Sequence, residues 1–383
     1  ARVLTVIYQY IAGNTAAETT IQNLLPGETY SVTSPAISGY RPDIEVVSGT
    51  MGEENITVTV TYTIPGLWDG SAATSFASGS GTEADPYIIE TAAQLAFLAS
   101  SVNSGTTCQN KFIKLGSDIV LNDTSNWESW STTAPANSWI SIGTSSHKFM
   151  GTFNGDGHIV SGVYINTTDD YQGLFGYAEE SAIGNLGVIK SFIKGGTYVG
   201  GIVGYSGSMI SDCYNTGTVK GNSTVGGVAG KGISYITNCF NTGVVTGTGD
   251  QVGGLTGYGT AENCYNTGAV SGISCVGGIT GYLYSDIVIN CYNTGTVGGD
   301  SNIGGVAGYV DRGVVINCYY LTGSAAGGIK GINAVGQAEA LTSEQMKQKS
   351  NFVGWDFEYE WFTDAQYRYD NSSEYPQLQA FGD

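Results

Sequence analysis

The chain repeats itself about every 26 residues between roughly residues 172 and 320. One signature reads Val-Gly-Gly, an apolar residue, any residue, then Gly-Tyr, and a second, Asn-Cys-Tyr-Asn-Thr-Gly, alternates with it. The cysteines of the second signature are spaced 26, 25, 27 and 27 residues apart, at Cys213, Cys239, Cys264, Cys291 and Cys318. Because a unit this short cannot enclose a core of its own, each unit must stack on its neighbours.

Each repeat contains three short β-prone runs separated by Gly, Asn or Ser. In one unit these are residues 200–205 (GGIVGY), 209–214 (MISDCY) and 217–221 (GTVKG). Three strands and three corners describe one coil of a parallel β-helix, and right-handed crossovers dominate parallel sheets. The 58 glycines suit many tight turns. The sequence therefore predicts an all-β fold whose main part is a right-handed parallel β-helix with three strands per coil.

Equivalent positions of successive coils are expected about 4.8 Å apart, so like side chains form ladders. The cysteines and the apolar residue three positions before each of them should both face inward. An odd spacing cannot keep two residues on one face of a straight strand, so we expect a bend between them, with left-handed backbone and stacked polar side chains, at Asp212, Asn238, Asn263, Asn290 and Asn317. Parallel Cβ directions suit disulfides poorly, so we predict buried free thiols, no metal site and no cofactor.

Two aromatic ladders are candidate binding surfaces. The first follows the inward cysteines and is therefore expected on the outside: Tyr214, Phe240, Tyr265, Tyr292 and Tyr319. The second is interrupted by Lys231 and comprises Tyr177, Tyr205, Tyr258, Tyr282 and Tyr309. Exposed rings in register can stack on sugars, with Asn and Asp supplying hydrogen bonds. The alternatives are rings that stack only on one another, or rings covered by a neighbouring loop.

The two signatures resemble the GLUG repeats of bacterial surface proteins, including the repeat regions of some IgA1-protease-type proteins. Residues 1–64 carry the order GYxPD, SGTM and VTVTY between Gly39 and Tyr62, which resembles the MucBP family of bacterial surface proteins. That second resemblance implies a small, stalk-like, β-grasp-type module, with mucin or glycan contact attested for some relatives.

The predicted organisation is a small β module at 1–64 and a β-helix over 65–383. Within the β-helix, residues 65–170 hold a cap helix and irregular first coils, 171–328 the GLUG repeats, and 329–383 a C-terminal cap. The module contains a strictly alternating strand over residues 56–63. The cap helix spans residues 91–103 and has an apolar stripe of Leu95, Leu98, Ala99 and Val102. The C-terminal cap is rich in aromatic residues, among them Trp355, Trp361, Phe362, Tyr367, Tyr369 and Tyr375.

Charge narrows the possible partners. The formal net charge is −19 and Lys plus Arg number only 14, which argues against nucleic acid and anionic membranes. No stretch approaches the roughly 20 apolar residues that span a bilayer. We therefore expect an extracellular or cell-surface location without direct membrane insertion, as part of a larger surface-anchored chain.

Catalytic groups do not recur in the repeats. The few charged residues of coils 198–310 fall at different coil positions, and Asp156 and His158 in NGDGHI are interpreted as turn residues. The sequence predicts a non-catalytic, adhesin-like protein that contacts glycans or mucin through the lateral faces of the β-helix. Two alternatives stay open: a polysaccharide-acting lyase or hydrolase with its site in coils 106–170, and a ligand-free structural spacer.

Overall fold

The computed structural model describes residues 1–332, 335–358, 361–362 and 375–378. The first 64 residues form a small β module. Its main sheet places two parallel strands, Arg2–Tyr10 and Ile56–Thr63, at the centre, with Thr15–Leu24 and Arg41–Pro42 antiparallel at the edges. The crossover between the central strands holds a separate two-stranded sheet, Thr29–Thr33 with Val46–Thr50. A small all-β module, with the alternating strand at 56–63, is therefore confirmed.

The cap helix is Ala92–Asn103, and its buried residues are the four predicted ones, Leu95, Leu98, Ala99 and Val102. Thr91 is the N-cap: its side chain accepts a hydrogen bond from the Gln94 backbone N–H, and Gln94 reciprocates in a capping box. The apolar stripe packs on the first coils of the β-helix, as a terminal cap must. A second short helix is Ser343–Met346, and 3₁₀ turns occupy Trp127–Ser129 and Lys349–Asn351.

Most of the described residues after the module form a parallel β-solenoid of about nine turns. The all-β solenoid is confirmed, whereas its handedness stays a prediction. A full repeat coil contributes strands to four sheets, rather than the three strands expected. The predicted run 200–205 divides because the chain bends at its Gly-Gly pair, giving Val199–Gly200 in one sheet and Val203–Ser206 in another.

Each of the four parallel sheets is named here for a characteristic residue. The cysteine sheet has fifteen strands: Tyr87–Ile89, Phe112–Leu115, Ile119–Val120, Thr152–Asn154, Ile159–Ser161, Ala182–Ile189, Met209–Asn215, Ile236–Thr237, Phe240–Asn241, Ala261–Glu262, Tyr265–Asn266, Ile287–Ile289, Tyr292–Asn293, Val314–Leu321 and Val335–Leu341. The tyrosine sheet has seven: Phe175–Ala178, Val203–Ser206, Ala229–Gly232, Thr256–Gly259, Thr280–Tyr284, Ala307–Asp311 and Ile329–Ile332.

The other two sheets are smaller. The lysine sheet has six strands: Tyr164–Asn166, Phe192–Lys194, Thr218–Gly221, Val245–Gly247, Val270–Ser271 and Val297–Gly298. The glycine sheet has five: Val199–Gly200, Val225–Gly226, Asp250–Gly253, Ser274–Gly277 and Ser301–Gly304. Trp361–Phe362 and Gln377–Leu378 pair separately in the C-terminal segment.

The predicted cysteine column is confirmed. All five repeat cysteines are buried free thiols. The apolar residues three positions before them are buried as well. The Cys213 and Cys239 amides each donate a hydrogen bond to the sulfur of the cysteine in the next coil, at 3.4 Å. A small thiol therefore packs against its own copies and also receives a backbone donor from the neighbouring coil.

The predicted bends are also confirmed. All five corner residues have left-handed backbone, with φ between 50° and 52°, at Asp212, Asn238, Asn263, Asn290 and Asn317. Their side chains hydrogen-bond between coils, for example from Asn290 Nδ2 to Asn263 Oδ1 at 3.1 Å. Asn and Asp are the non-glycine residues that tolerate this conformation best.

A second polar ladder, which we did not predict, lies inside the coil. The asparagine two residues after each of the first four repeat cysteines is fully buried. Its Nδ2 donates one hydrogen bond to a glycine carbonyl of its own coil and another, at 2.8 Å, to the Oδ1 of the asparagine in the next coil. The column comprises Asn215, Asn241, Asn266 and Asn293, and Asn293, the last of them, keeps only the bond to its own glycine carbonyl. A Cβ on the second glycine of each Val-Gly-Gly would lie 2.3–2.6 Å from an Asn Cγ, at Gly201, Gly227, Gly254 and Gly278. The ladder therefore explains why the two signatures occur together.

The module and the solenoid are joined by polar contacts. The Tyr40 hydroxyl donates to Asp123 Oδ1 at 2.8 Å, and Asn14 Nδ2 donates to the Ser125 carbonyl at 3.2 Å. Their hydrophobic cores share no residue. This separation supports our proposal that the domain boundary lies between residues 64 and 65.

The asparagine ladder gives the first prediction. Asn266→Ala removes three buried hydrogen bonds and leaves the Gly268 carbonyl without its side-chain donor. We expect the free energy of unfolding to fall by about 2–4 kcal/mol, measured by chemical denaturation. The matched control is Thr267→Ala, an exposed neighbour, for which we expect a change within about 0.5 kcal/mol. Equal costs for the two variants would contradict a structural role for the ladder.

Candidate functional site

The first aromatic column is a continuous stack of parallel rings. Tyr214 and Phe240 have ring centroids 4.7 Å apart, Phe240 and Tyr265 4.8 Å, and Tyr265 and Tyr292 5.1 Å, with interplanar angles of 6° or less. The rings therefore pack face to face along the solenoid axis, and each inner ring has a neighbour on both of its faces.

The expectation that this whole column lies on the outside is wrong. Tyr265, Tyr292 and Tyr319 are only 8%, 1% and 3% exposed, and Tyr214 and Phe240 are half-buried. The C-terminal segment folds back over the column with Leu341, Met346, Phe352, Trp355 and Leu378. A continuous face of flat rings is a large apolar surface, and covering it removes that surface from water.

Hydrogen bonds fix this cover in place. The Tyr292 hydroxyl donates to the Pro376 carbonyl at 2.7 Å, and the Val353 amide donates to the Tyr319 hydroxyl at 2.9 Å. The C-terminal segment therefore covers a lateral face, whereas its role as a cap of the solenoid end stays a prediction. Of the aromatic residues assigned to it, Tyr367 and Tyr369 lie outside the described residues, and Trp361 and Phe362 are described for their backbone alone.

The second column stays at the surface, with every ring half-buried. Tyr177 stacks on Tyr205 at 4.4 Å, and Tyr258, Tyr282 and Tyr309 stack at 5.4 and 5.6 Å. Lys231 fills the gap between the two groups. Its Nζ lies 5.7 Å from the Tyr205 ring centroid and 4.6 Å from that of Tyr258, so a cation replaces the missing ring.

Because these rings stack on one another, a sugar cannot lie between them. Lys148 Nζ lies 5.3 Å from the Tyr177 ring centroid, so that ring also has a partner on each side. What the column offers to solvent is ring edges and a row of hydroxyls. Burial raises the pKa of Tyr258 and Tyr282, so these hydroxyls stay protonated donors.

A cleft of about 420 Å³ opens beside the start of this column. Tyr171 lies at its edge and stacks on Tyr198 at 5.0 Å, and both rings contact Tyr205. The preceding segment lines the cleft with Ser138, Ser141 and Gly143 and also with the larger residues Trp139 and Ile140. The cleft therefore borders two aromatic residues, Tyr171 and Trp139.

Tyr171 and Tyr198 occupy an unusual backbone position. Both have left-handed φ, 60° and 62°, at a second corner column that continues with Thr224, Gln251, Cys275 and Asn302. An aromatic side chain is a poor choice for this conformation. The two coils nearest the cleft nevertheless place tyrosine there, which points to a role for the rings beyond the backbone turn.

Polar side chains complete the cleft: Asn166, Gln172, Asp169 and Asp170. Asp170 Oδ1 accepts a hydrogen bond from the Thr197 amide at 2.6 Å, which ties this carboxylate to the next coil. Ser141 Oγ donates to Gln172 Oε1 at 3.1 Å, which orients the amide. The cleft combines two aromatic residues, Tyr171 and Trp139, with carboxylate and amide side chains.

Asp156 and His158 do not form a pair with each other. Asp156 has left-handed backbone and forms an ion pair with Lys114 at 2.8 Å, whereas His158 Nδ1 lies 3.0 Å from Asp118 Oδ1. Each therefore contacts an earlier segment of the chain from a turn. Within the described ranges, no three His, Cys, Asp or Glu side chains group as metal ligands.

Two families match parts of this architecture. Residues 3–63 match the MucBP domain, and residues 195–220 match the GLUG motif. The chain carries a MucBP domain and a GLUG motif. The GLUG match spans, in order, one glycine-sheet strand, one tyrosine-sheet strand, one cysteine-sheet strand and most of the next lysine-sheet strand, which together make one coil of the solenoid. The resemblances inferred from the sequence are confirmed.

Two curated relatives match parts of the chain. Halomucin of Haloquadratum walsbyi is 29% identical over 55% of this chain, a match that covers 2% of Halomucin. A protein of Evansella cellulosilytica named "Putative Gly-rich membrane protein" is 34% identical over 32% of this chain and 12% of its own length. The chain thus spans a small fraction of the curated relatives it matches.

One solved structure has a similar fold. It is titled a "putative immunoglobulin A1 protease" from Bacteroides ovatus and matches with a TM-score of 0.57 and 23% identity, over 80% of this chain and 95% of that chain. At this identity the likeness establishes a shared fold. In the described part of this chain, no helix has the length and apolar character to cross a bilayer.

The two aromatic columns should differ in their contribution to stability. Tyr319→Ala removes a buried ring that contacts Phe352 and Trp355, and we expect it to lower the free energy of unfolding by about 3–5 kcal/mol. Tyr309→Ala, in the same repeat but half-exposed, should cost clearly less, about 1–2 kcal/mol. Both values come from denaturant titrations. A larger cost for Tyr309 would contradict the cover seen over the first column.

Alkaline titration tests the second column. Burial raises the pKa of Tyr171, Tyr258 and Tyr282 in the folded chain. Below the ordinary tyrosine pKa of about 10 both states are protonated, and above it the unfolded chain releases its protons first. Stability should therefore fall as the pH rises above about 10. Tyrosinate absorbance should appear later in the folded than in the urea-unfolded protein, and Tyr258→Phe with Tyr282→Phe should shrink the late fraction. Coincident titrations would contradict this.

Proposed function

We propose that the chain is a non-catalytic, adhesin-like part of a secreted or cell-surface protein that binds mucin-type glycans. The MucBP domain supports the mucin component of this proposal, and the GLUG motif supports a role at the cell surface. The names of two relatives, Halomucin and a Gly-rich membrane protein, agree with an extracellular setting. The observation that carries the proposal for the solenoid is the cleft beside Tyr171.

The cleft has the chemistry that a sugar ring needs. A pyranose has one apolar face, which packs on an aromatic ring, and a rim of hydroxyls, which pair with carboxylate and amide groups. Tyr171 supplies the ring, and Asp169, Asn166 and Gln172 supply the polar groups. A volume of about 420 Å³ lies within the usual range of small-ligand sites.

The tyrosine sheet extends this site along the solenoid axis. Tyr205, Tyr258, Tyr282 and Tyr309 present hydroxyls at regular intervals, with Lys231 among them. An extended oligosaccharide held at the cleft would pass along this row and exchange hydrogen bonds with it. The buried column of Tyr265, Tyr292 and Tyr319 has a structural role in this proposal: it stiffens the solenoid and anchors the C-terminal segment.

Asp169 and Asp170 also make hydrolysis a competing function, because glycosidases use two carboxylates. Such enzymes hold their acid and their base in different environments, with one carboxyl kept protonated by burial. Here both side chains are exposed, and Asp170 is tied to the Thr197 amide. These contacts favour binding over catalysis.

A glycan array of mucin O-glycans, followed by calorimetric titration of the best oligosaccharide, tests the proposal. We expect the parent chain to bind and Tyr171→Ala to weaken binding about ten-fold or more, since one stacked ring is lost. The matched control is Tyr235→Ala, an exposed tyrosine outside the cleft, which should bind as the parent does.

Circular dichroism establishes that both variants fold. The absence of binding by the parent, or unchanged binding by Tyr171→Ala, would refute the proposed site. Mass spectrometry of the oligosaccharide after incubation separates the two functions. Intact glycan supports binding without catalysis, whereas cleavage products that disappear in Asp169→Asn would establish the enzyme instead.

A further inference from the structure

Two lysines are direct neighbours on the lysine sheet. Lys194 pairs in register with Lys220, and the column continues from Asn166 above to Thr246 below. Adjacent parallel strands are about 4.8 Å apart. Like charges placed directly opposite each other destabilise a sheet.

Nothing in the described part of the chain neutralises this pair. The ion pairs among the described residues involve other cationic side chains. The Lys220 Nζ lies over the Phe192 ring, 5.6 Å from the ring centroid. The chain has 33 acidic residues and only 14 lysines and arginines, so an acidic residue beside these lysines would be in keeping with its composition. Two lysines in register on neighbouring strands, with no carboxylate partner among the described residues, therefore depart from the pairing of opposite charges that a sheet favours.

Both lysines line a groove of about 350 Å³ that crosses four coils. The other polar side chains of the groove are neutral and carry hydroxyl or amide groups, including Thr167, Asn222, Thr246 and Thr248. No carboxylate belongs to its lining. The groove adjoins the Tyr171 cleft, because Thr167 lines both.

We propose that this groove binds the anionic substituent of an acidic glycan, a carboxylate or a sulfate ester, while the adjoining cleft holds a neutral ring of the same glycan. The inference rests on the proposed function and narrows its ligand class. One anion between Lys194 and Lys220 replaces their mutual repulsion with two charge-assisted contacts, and the surrounding hydroxyls donate to its remaining oxygens. At physiological ionic strength the screening length is about 8 Å, so the groove attracts an anion locally although the whole chain is acidic.

The test compares one oligosaccharide in neutral, sialylated and sulfated forms, titrated into the full chain, with sodium sulfate as the probe of the anion alone. We expect one or both acidic forms to bind about ten-fold more tightly than the neutral form, with an advantage that shrinks as salt is added. The form with the larger advantage identifies whether a carboxylate or a sulfate ester is the natural group. Sodium sulfate should compete with the acidic form and leave the neutral form unaffected.

Variants separate charge from structure. Lys194→Gln with Lys220→Gln should abolish the preference for the acidic form and leave neutral-glycan affinity unchanged, whereas Lys194→Arg with Lys220→Arg should retain it. The matched control, Lys330→Gln with Lys347→Gln, removes the same two charges outside both clefts and should behave as the parent. Equal affinity for all three forms, or an equal loss of preference in the control, would overturn the inference. If no form binds, the proposed function itself fails.

Discussion

In-register parallel stacking is the constraint on which the rest of this structure depends. Each residue of an inner repeat coil has the equivalent residue of the next coil about 4.8 Å away on either side, and at most core positions that residue is of the same type. A residue type is therefore favoured at a coil position only if it packs well against its own copy. Thiols do so because they are small and apolar, and amides do so because each is both donor and acceptor, as in the chain from Asn215 to Asn293. Charges do so poorly, which agrees with the 12% of charged residues in the chain.

The same constraint decides which surfaces are free to bind. Flat rings also stack well on their copies, and in doing so they use the faces that a sugar would need. The stack from Tyr214 to Tyr292 presents a regular apolar face, and the C-terminal segment packs against it. The Trp355 indole N–H donates to the Asn317 carbonyl at 2.8 Å, which fixes this segment on the solenoid. A regular ladder of rings is thus a structural element. A ring that the sequence pattern predicts to be exposed is not for that reason a ligand site.

Local and periodic features were predictable from the sequence. The cysteine column, the left-handed corners and the four buried residues of the cap helix each follow from spacing over a few residues. The buried asparagines were predictable in principle, since Asn215 follows Cys213 by two residues and so faces the same way, and four of the five copies of the signature keep it. The cover was not: Tyr292 and Pro376 are 84 residues apart, and no period connects them. The division of the predicted Gly-Gly run into two strands depends on backbone bending that strand propensity does not encode.

Function in a solenoid of this kind belongs at the places where the repetition breaks. A position filled by its own copy in every coil has its contacts satisfied within the chain, whereas an interruption leaves a face, a charge or a space without a matching neighbour. The cleft beside Tyr171 lies at the start of the tyrosine column, where the regular coils are preceded by the segment that contains Ser138 and Trp139. Two lysines, Lys194 and Lys220, lie in register on neighbouring strands, where a neutral residue would avoid the repulsion between like charges. The two interruptions adjoin each other at Thr167, so one ligand with a sugar ring and a negative charge satisfies both.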